Sequence, residues 1–308
     1  MHSNPSNSGI PCSGKNPKDR SIEELLISGV VVIDKPRGPS SHQIAEWTRN
    51  ILGVGKAGHL GTLDTNVSGV LPVLLGRAVN ATSYLMKHDK RYVGIIRFSA
   101  DITEGNVKKL FDEFTGGIWQ IPPAGAAVAR KRRKRTIYSL ELLEIDGKDV
   151  LFEVKCEAGT YVRILAEDMG KKAGNKAELA ELRRIEVGGL NGKDAVTLQE
   201  LSDAVWLWKE NGNGSKLKGI IHPLEDALKG FKRIWIMDKA ADAICHGAQL
   251  MMPGIRRFEA GIKIGDIIAV MNLKDELVAF AEAKMSSKDM QTSEKGQATK
   301  TERVINRG

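Results

Sequence analysis

The sequence has 308 residues, of which 42% are hydrophobic and 27% charged, with a formal net charge of +8 at pH 7. This is an ordinary globular composition, and no apolar run approaches the roughly 18 residues of a membrane helix. The polar N-terminus also lacks the apolar core of a signal peptide, so we expect a cytoplasmic protein with no membrane partner. The basic charge favours a polyanionic partner.

The first third of the chain alternates between predicted strands and helices. Residues 1–20 are polar and rich in Ser, Pro and Gly, which predicts an N-terminal extension over 1–27, partly disordered or docked on the C-terminal part. Residues 29–41 predict a strand and a Pro/Gly turn, after which Ser40 or Ser41 caps a helix that ends at Gly53. The patterns that follow predict a buried strand with a helix at 67–89, a strand at 90–100 and a helix at 106–117.

The rest of the chain divides into two predicted domains. Its predicted elements are a two-stranded hairpin with an Asp-Gly turn at 136–159, helices at 160–174, 176–187 and Thr197–Trp208, and from about residue 231 short strands with one helix. The first domain, 28–230, is then an α+β fold: a mixed, largely antiparallel sheet with flanking helices. The second, 231–308, is a small β-barrel followed by a C-terminal tail.

A short turn, "GHLGTLD" at 58–64, brings His59 and Asp64 close together in the sequence. From spacing alone, an aspartate on such a turn is better explained by hydrogen bonds to nearby backbone N–H groups than by catalysis. His59 is as well explained by a loop contact. The spacing of the cysteines and histidines matches no common ligand pattern, so we predict no metal site.

The run "RKRRKR" at 130–135 places six cations together. A solvated loop is the simple interpretation, but six like charges repel one another unless an anion compensates them. We therefore expect phosphate contacts from this run, which comprises Arg130, Lys131, Arg132, Arg133, Lys134 and Arg135.

Two longer motifs, "DKPRGPSSHQIAEWTRNIL" and "KAGHLGTLDTNVSGVLPVLLGRA", resemble the paired signature of the TruB family of RNA pseudouridine synthases. The resemblance implies that Asp64 is the catalytic carboxylate. It places the active-site tyrosine at Tyr92 in "RYVGIIRF" and the arginine that pairs with the carboxylate at Arg163 in "GTYVRILAEDMG". These enzymes isomerise uridine, so the resemblance implies no cofactor.

Other site residues follow from the same resemblance. "AELRRI" resembles the segment that lines the uracil pocket and places its apolar residue at Leu182. His59 is implied as the wedge that fills the gap left by a flipped base, and Lys56 as an RNA contact. The tail resembles a PUA domain, which makes 231–308 an RNA-binding domain on which the N-terminal extension docks. Its RNA contacts are then expected at His246, Gly247, Pro253 and Gly254.

The segment between 120 and 163 carries no long insertion, and "YSLELLEIDGKDVLF" resembles the dyskerin-like archaeal subgroup. The resemblance then implies modification of rRNA or tRNA guided by a box H/ACA RNA. The implied partners are a small zinc-ribbon-like protein, a Gar-type protein and a kink-turn-binding ribosomal protein. Two alternatives stay open: a stand-alone enzyme for the T-arm uridine of tRNA, and a non-catalytic RNA-binding scaffold of a ribonucleoprotein.

Overall fold

The computed structural model of the protein describes residues 14–123 and 128–305. The prediction of an N-terminal extension therefore lies partly outside the described residues. None of the helices in the described ranges is long and apolar enough to cross a membrane.

The larger sheet carries the candidate site and contains eleven strands of the described chain. They are β1 (Gly29–Lys35), β2 (Ala57–His59), β3 (Ser68–Leu75), β4 (Lys90–Phe98), β5 (Gly116–Gln120), β6 (Arg133–Asp146), β7 (Asp149–Cys156), β8 (Ala177–Val187), β9 (Leu190–Asn191), β10 (Ala195–Val196) and β11 (Ile221–Pro223). The main order is β10-β1-β3-β8-β4-β7-β6-β5. Within the described part of this larger sheet, only β1–β10 and β3–β8 are parallel pairs, which confirms the mixed, largely antiparallel sheet.

Helices flank this sheet and the C-terminal strands. They are α1 (Ile22–Ile27), α2 (Ser41–Leu52), α3 (Thr82–Leu85), α4 (Glu104–Phe114), α5 (Val162–Lys172), α6 (Leu198–Asn211), α7 (Ser215–Ile220), α8 (Asp238–Cys245) and α9 (Ser287–Thr292). The predicted cap of α2 is confirmed: the Ser40 hydroxyl accepts from the Gln43 N–H, and Gly53 ends the helix at φ +67°. The predicted helices at 106–117, 160–174 and Thr197–Trp208 correspond to α4, α5 and α6.

The prediction of a helix over 176–187 is wrong, because these residues form strand β8. Ala, Glu, Leu and Arg have high helix propensity, but β8 lies in the middle of the sheet, between β3 and β4. Pairing on both edges outweighs that propensity. The strand turns Leu182 and Arg184 inward at the two-residue period of a β-strand, and both side chains are buried.

The C-terminal residues form a second sheet of six strands in the part of the chain described, nearly closed like a barrel. Its strands are β12 (Arg233–Ile236), β13 (Leu250–Met251), β14 (Ile255–Phe258), β15 (Ile267–Met271), β16 (Leu277–Ala283) and β17 (Gln297–Val304). The predicted small β-barrel is confirmed. Its described residues include two helices, α8 and α9, whereas the pattern predicted a single helix. Tyr84 stacks on Phe280 with ring centroids 4.4 Å apart, so an apolar cluster joins the two sheets.

Arg20 links the N-terminal segment to both parts of the protein. Its guanidinium donates to both carboxylate oxygens of Glu225, at 2.9 and 3.0 Å, and to Glu276 at 2.8 Å. All three side chains are at most 10% exposed. Burial raises the pKa of Glu276, and Arg20 opposes that shift. Arg20 is therefore the cation that makes two buried carboxylates tolerable.

We expect Arg20→Met to lower the free energy of unfolding by about 3–5 kcal/mol, because it leaves two buried carboxylates without their cation. Urea denaturation measures the loss. The control is Lys15→Met, which breaks the exposed ion pair of Lys15 with Glu24 and should cost about 1 kcal/mol or less. Equal losses in the two variants would show that Arg20 has no special structural role.

Candidate active site

A turn between β2 and β3 presents Asp64 to solvent. The Leu60 N–H donates to the Pro72 carbonyl at 2.9 Å, which fixes the start of the turn. At its middle, the Ser41 hydroxyl accepts from the Leu63 N–H at 2.8 Å and donates to the Leu63 carbonyl at 3.1 Å. Leu63 is buried while Asp64 is exposed, so the apolar neighbour anchors the turn and the carboxylate lies at the surface.

Arg163 forms an ion pair with Asp64 across 99 positions of sequence. It lies in the first turn of α5, whose start is held by Gln120 of β5. The buried Gln120 amide donates to the Tyr161 carbonyl and accepts from the Tyr161 N–H, both at 3.0 Å. The guanidinium gives the carboxylate a charge-assisted hydrogen bond, which fixes its orientation. The predicted Asp64–Arg163 pair is thus present in the structure.

A cavity of about 770 Å³ opens beside this ion pair. Its lining includes Asp64, Arg163, Thr65 and Glu167, and Leu179 contributes an apolar side chain. This volume accommodates a nucleotide together with parts of the adjacent nucleotides. Neither Tyr92, Leu182 nor His59 belongs to its lining.

Tyr92 and Leu182 lie in the apolar cluster beneath the turn, together with Leu63 and Val67. They come from the adjacent strands β4 and β8, where Leu182 pairs with Gly94. Burial raises the pKa of Tyr92, so its phenol is neutral near pH 7. The structure therefore brings Tyr92 and Leu182 together under the turn that carries Asp64.

His59 ends strand β2 and is half-buried. Burial, with the nearby Arg184 charge, lowers its pKa, so the imidazole is neutral near pH 7. Its Nδ1 is buried and has no hydrogen-bond partner in the described structure. This nitrogen is therefore a buried polar atom whose hydrogen-bonding capacity is unused in the described structure.

Sequence reasoning missed two buried cations beneath the turn. The Lys35 Nζ donates to the carbonyls of Val67, at 2.8 Å, and Pro36, at 2.9 Å, and burial lowers its pKa. Arg184 lies next to Tyr92, and burial lowers its pKa as well. Lys35 ends the apolar strand β1 in "IDKP", and Arg184 follows Leu182 by two positions in "LRR", which places the two side chains on the same face of a strand once β8 is known to be one.

Family comparisons agree with this geometry along the chain. Residues 49–162 match the N-terminal domain of TruB family pseudouridylate synthases, and 163–229 match a tRNA pseudouridylate synthase B C-terminal domain. Residues 232–305 match a PUA domain and 3–45 a DKCLD domain. A probable tRNA pseudouridine synthase B of Methanocaldococcus jannaschii is 47% identical over 94% of this chain and 87% of its own length. This chain belongs to the TruB family of pseudouridylate synthases.

Other relatives and solved structures agree with this TruB membership. A probable tRNA pseudouridine synthase B of Pyrobaculum aerophilum is 42% identical over 96% of this chain and 89% of its own length. The structure superposes on a Cbf5-Nop10-Gar1 complex with a TM-score of 0.92, at 42% identity over 97% of this chain and 92% of that one. An H/ACA RNP bound to a substrate RNA containing 2′-deoxyuridine gives a TM-score of 0.89, at 41% identity and the same coverage. The predicted family and PUA resemblance are confirmed.

The basic run of this TruB-family protein divides into two parts. Arg130, Lys131 and Arg132 are exposed and precede β6. Arg132 lies over the exposed Trp119 ring, 5.0 Å from its centroid. The remaining residues, Arg133, Lys134 and Arg135, belong to β6, and the Arg135 Nε donates to the Gly159 carbonyl at 3.1 Å. The first three cations and the exposed Lys134 are therefore the ones most available to phosphate.

The predicted RNA contacts of the PUA domain differ in their surroundings. His246 and Gly247 are exposed just after α8, and Pro253 is exposed as well. Gly254 is half-buried, and a Cβ atom there would lie 2.8 Å from that of Ala240, so packing explains this glycine. In the larger sheet, Lys56 is exposed just before β2.

Proposed function

We propose that this protein isomerises uridine to pseudouridine in rRNA or tRNA, with Asp64 as the catalytic carboxylate. The observation that carries the proposal is the Asp64–Arg163 ion pair on an anchored turn, beside a nucleotide-sized cavity in a TruB-family fold. The reaction breaks the C1′–N1 bond, turns the uracil and joins C1′ to C5. Nothing is added or oxidised, so the balance of the reaction calls for no cofactor.

Each site residue has a distinct part in this proposal. Asp64 acts on the ribose, either by covalent attack at C1′ or by taking a ribose proton. Arg163 orients the carboxylate. Tyr92 and Leu182 contact the uracil from the apolar side, and the Tyr92 hydroxyl takes part in the loss of the C5 proton. His59 enters the gap left when the target base leaves its stack.

The partners follow from what the related assemblies contain. We propose that residues 28–230 are the catalytic domain, that 231–308 bind a box H/ACA guide RNA, and that the extension 1–27 docks on the PUA domain. The proposed proteins are a Nop10-like zinc-ribbon protein, a Gar1-like protein and a kink-turn-binding ribosomal protein. The solved complexes that this chain resembles contain Cbf5 with Nop10, with Nop10 and Gar1, or with substrate RNA, and the contact of Arg20 with Glu276 supports the docking. The proposed compartment is the cytoplasm.

A second candidate is guide-independent modification of tRNA, the RNA for which the archaeal relatives are named. The test is a pseudouridine assay on a T-arm transcript and on a guided target, each with and without guide RNA and accessory proteins. We expect guided product only in the full assembly. Product on the T-arm transcript by the protein alone would establish the stand-alone enzyme. RNA binding without product in any mixture would establish the scaffold.

The exposed part of the basic run has its own expected effect. Replacing Arg130, Lys131 and Arg132 together by Ala should weaken RNA binding, because three phosphate contacts are lost. Each phosphate contact on single-stranded RNA contributes about 0.7 to the steepness of log affinity against log salt concentration. The loss of three contacts should therefore reduce this steepness by about 2. Filter binding across a salt series measures it.

The matched control removes the same charge from exposed lysines on two helices, Lys108 and Lys109 of α4 and Lys216 of α7. We expect the control to leave the salt slope within experimental error of the parent protein. If both triple variants change the slope equally, net charge accounts for the affinity and the basic run makes no specific phosphate contact.

A further inference from the structure

Arg184 of β8 is a buried cation without a buried anion. Its side chain is 1% exposed and is the largest fully buried side chain among the described residues. No carboxylate of the described chain forms an ion pair with it, and the side chain that stabilises its charge is Tyr92. A buried charge is costly unless hydrogen bonds or an opposite charge compensate it. The fold compensates this charge with backbone carbonyls and not with a carboxylate.

The donors of Arg184 hold the turn that carries Asp64. Its Nε donates to the Val70 carbonyl at 2.8 Å, and one terminal nitrogen lies 3.0 Å from the Gly61 carbonyl and 3.5 Å from that of Leu60. Leu60 and Gly61 precede Asp64, whereas Val70 follows it. One guanidinium thus ties both ends of the turn to β8, which fixes the position of the carboxylate.

The same guanidinium lies beside Tyr92. The two residues are paired on the adjacent strands β4 and β8, and both side chains are buried. A guanidinium has donors only, so the phenol oxygen can only accept from it. Burial raises the pKa of Tyr92 and lowers that of Arg184, and each partner opposes the shift of the other. Each therefore favours the charged form of its neighbour.

We propose that Arg184 is a positioning residue that holds the Tyr92 oxygen and supplies its counter-charge while that oxygen accepts the C5 proton of the isomerised uracil. This inference rests on the proposed function, which provides that proton. The phenol first loses its own proton to water. After the C1′–C5 bond has formed, the C5–H bond breaks and its proton passes to the phenolate. The electron pair forms the C5=C6 bond, the C6=N1 pair moves to N1, and N1 takes a proton from water.

The test compares single-turnover pseudouridine formation in the full assembly on RNA with hydrogen or deuterium at C5 of the target uridine. In Arg184→Gln we expect a rate about a hundredfold lower, because a displaced catalytic oxygen has that order of effect. RNA affinity should be unchanged, the isotope effect should increase, and the ascending limb of the pH–rate profile should move to higher pH. An unchanged isotope effect in a folded Arg184→Gln protein would overturn the proposal.

Lys35→Met is the matched control, because Lys35 is also a buried cation that holds the turn but lies on β1, which is not paired with the Tyr92 strand β4. It should slow the reaction without raising the isotope effect; an equal rise would assign the Arg184 effect to the turn alone and overturn the proposal. The double variant Arg184→Gln with Tyr92→Phe should be slower than Tyr92→Phe by no more than the factor lost in Lys35→Met, since only the contribution of Arg184 to the turn remains to be lost. Additive losses would contradict this.

Two further measurements keep the inference testable if Arg184→Gln fails to fold. Arg184→Lys retains the charge and should recover part of the rate with a smaller rise in the isotope effect. A fluorinated tyrosine at position 92 lowers the phenol pKa while Arg184 stays in place, so it should move the ascending limb of the pH–rate profile to lower pH. An ascending limb at the same pH as in the parent protein would overturn the proposal. Absence of product from the parent protein would overturn the proposed function itself, a result distinct from all of these.

Discussion

We expect Asp64→Asn to lower the single-turnover rate of pseudouridine formation at least about a thousandfold while RNA affinity stays unchanged. The amide has the shape of the carboxylate and keeps an oxygen for Arg163, but it can neither attack C1′ nor take a ribose proton. Because the Asp64 side chain is 56% exposed, its replacement removes little packing. Rates on radiolabelled RNA, with affinity measured on the same preparation, check the prediction.

Asp149→Asn is the matched control for this prediction. Asp149 forms a similar exposed ion pair, with Arg97, where the far end of β4 meets β7. We expect the control to keep the rate of the parent protein. A full rate in Asp64→Asn would remove the carboxylate from the reaction. A parallel loss of RNA affinity in that variant would assign its effect to binding.

The second large effect is on stability. Gly69 of β3 adopts φ +107°, and a Cβ atom there would lie 2.1 Å from the Arg184 carbonyl oxygen and 2.9 Å from the Arg184 amide nitrogen. The obstacle is backbone, so β3 and β8 would have to separate. We expect Gly69→Ala to lower the free energy of unfolding by about 4 kcal/mol or more, the range of severe steric changes. Urea denaturation followed by circular dichroism measures it.

Gly53→Ala separates backbone strain from lack of space. Gly53 also has a positive φ, +67°, but a Cβ atom there would meet nothing within 4 Å. We expect it to cost about 1–2 kcal/mol, the penalty of a left-handed alanine. If Gly69→Ala cost no more than this control, the close approach of β3 to β8 would not constrain the turn that carries Asp64.

Local signals were sufficient for the elements whose boundaries depend on caps. Helix α2 begins after Ser40 and ends at Gly53 because a hydroxyl cap and a left-handed glycine act within one turn. Strand β8 shows the opposite case. Its residues favour a helix in isolation, and only the neighbouring strands β3 and β4, distant in sequence, make it a strand.

The candidate site was predictable only in part and for a similar reason. Spacing favoured a structural explanation for Asp64, and its partner Arg163 is 99 positions away. The motif resemblance supplied that pairing. Lys35 and Arg184 escaped prediction because a cation in a sequence is normally a surface residue, and nothing local shows that backbone carbonyls will compensate its burial.

The central claim, that this protein isomerises uridine with its own side chains, is tested most directly by counting two products of one reaction. RNA carrying tritium at C5 of the target uridine is incubated with the full assembly, and released tritium and pseudouridine are both measured. Our account predicts one C5 hydrogen released per pseudouridine formed, and neither in Asp64→Asn. RNA that remains bound to the parent assembly with no tritium released and no pseudouridine formed would contradict it.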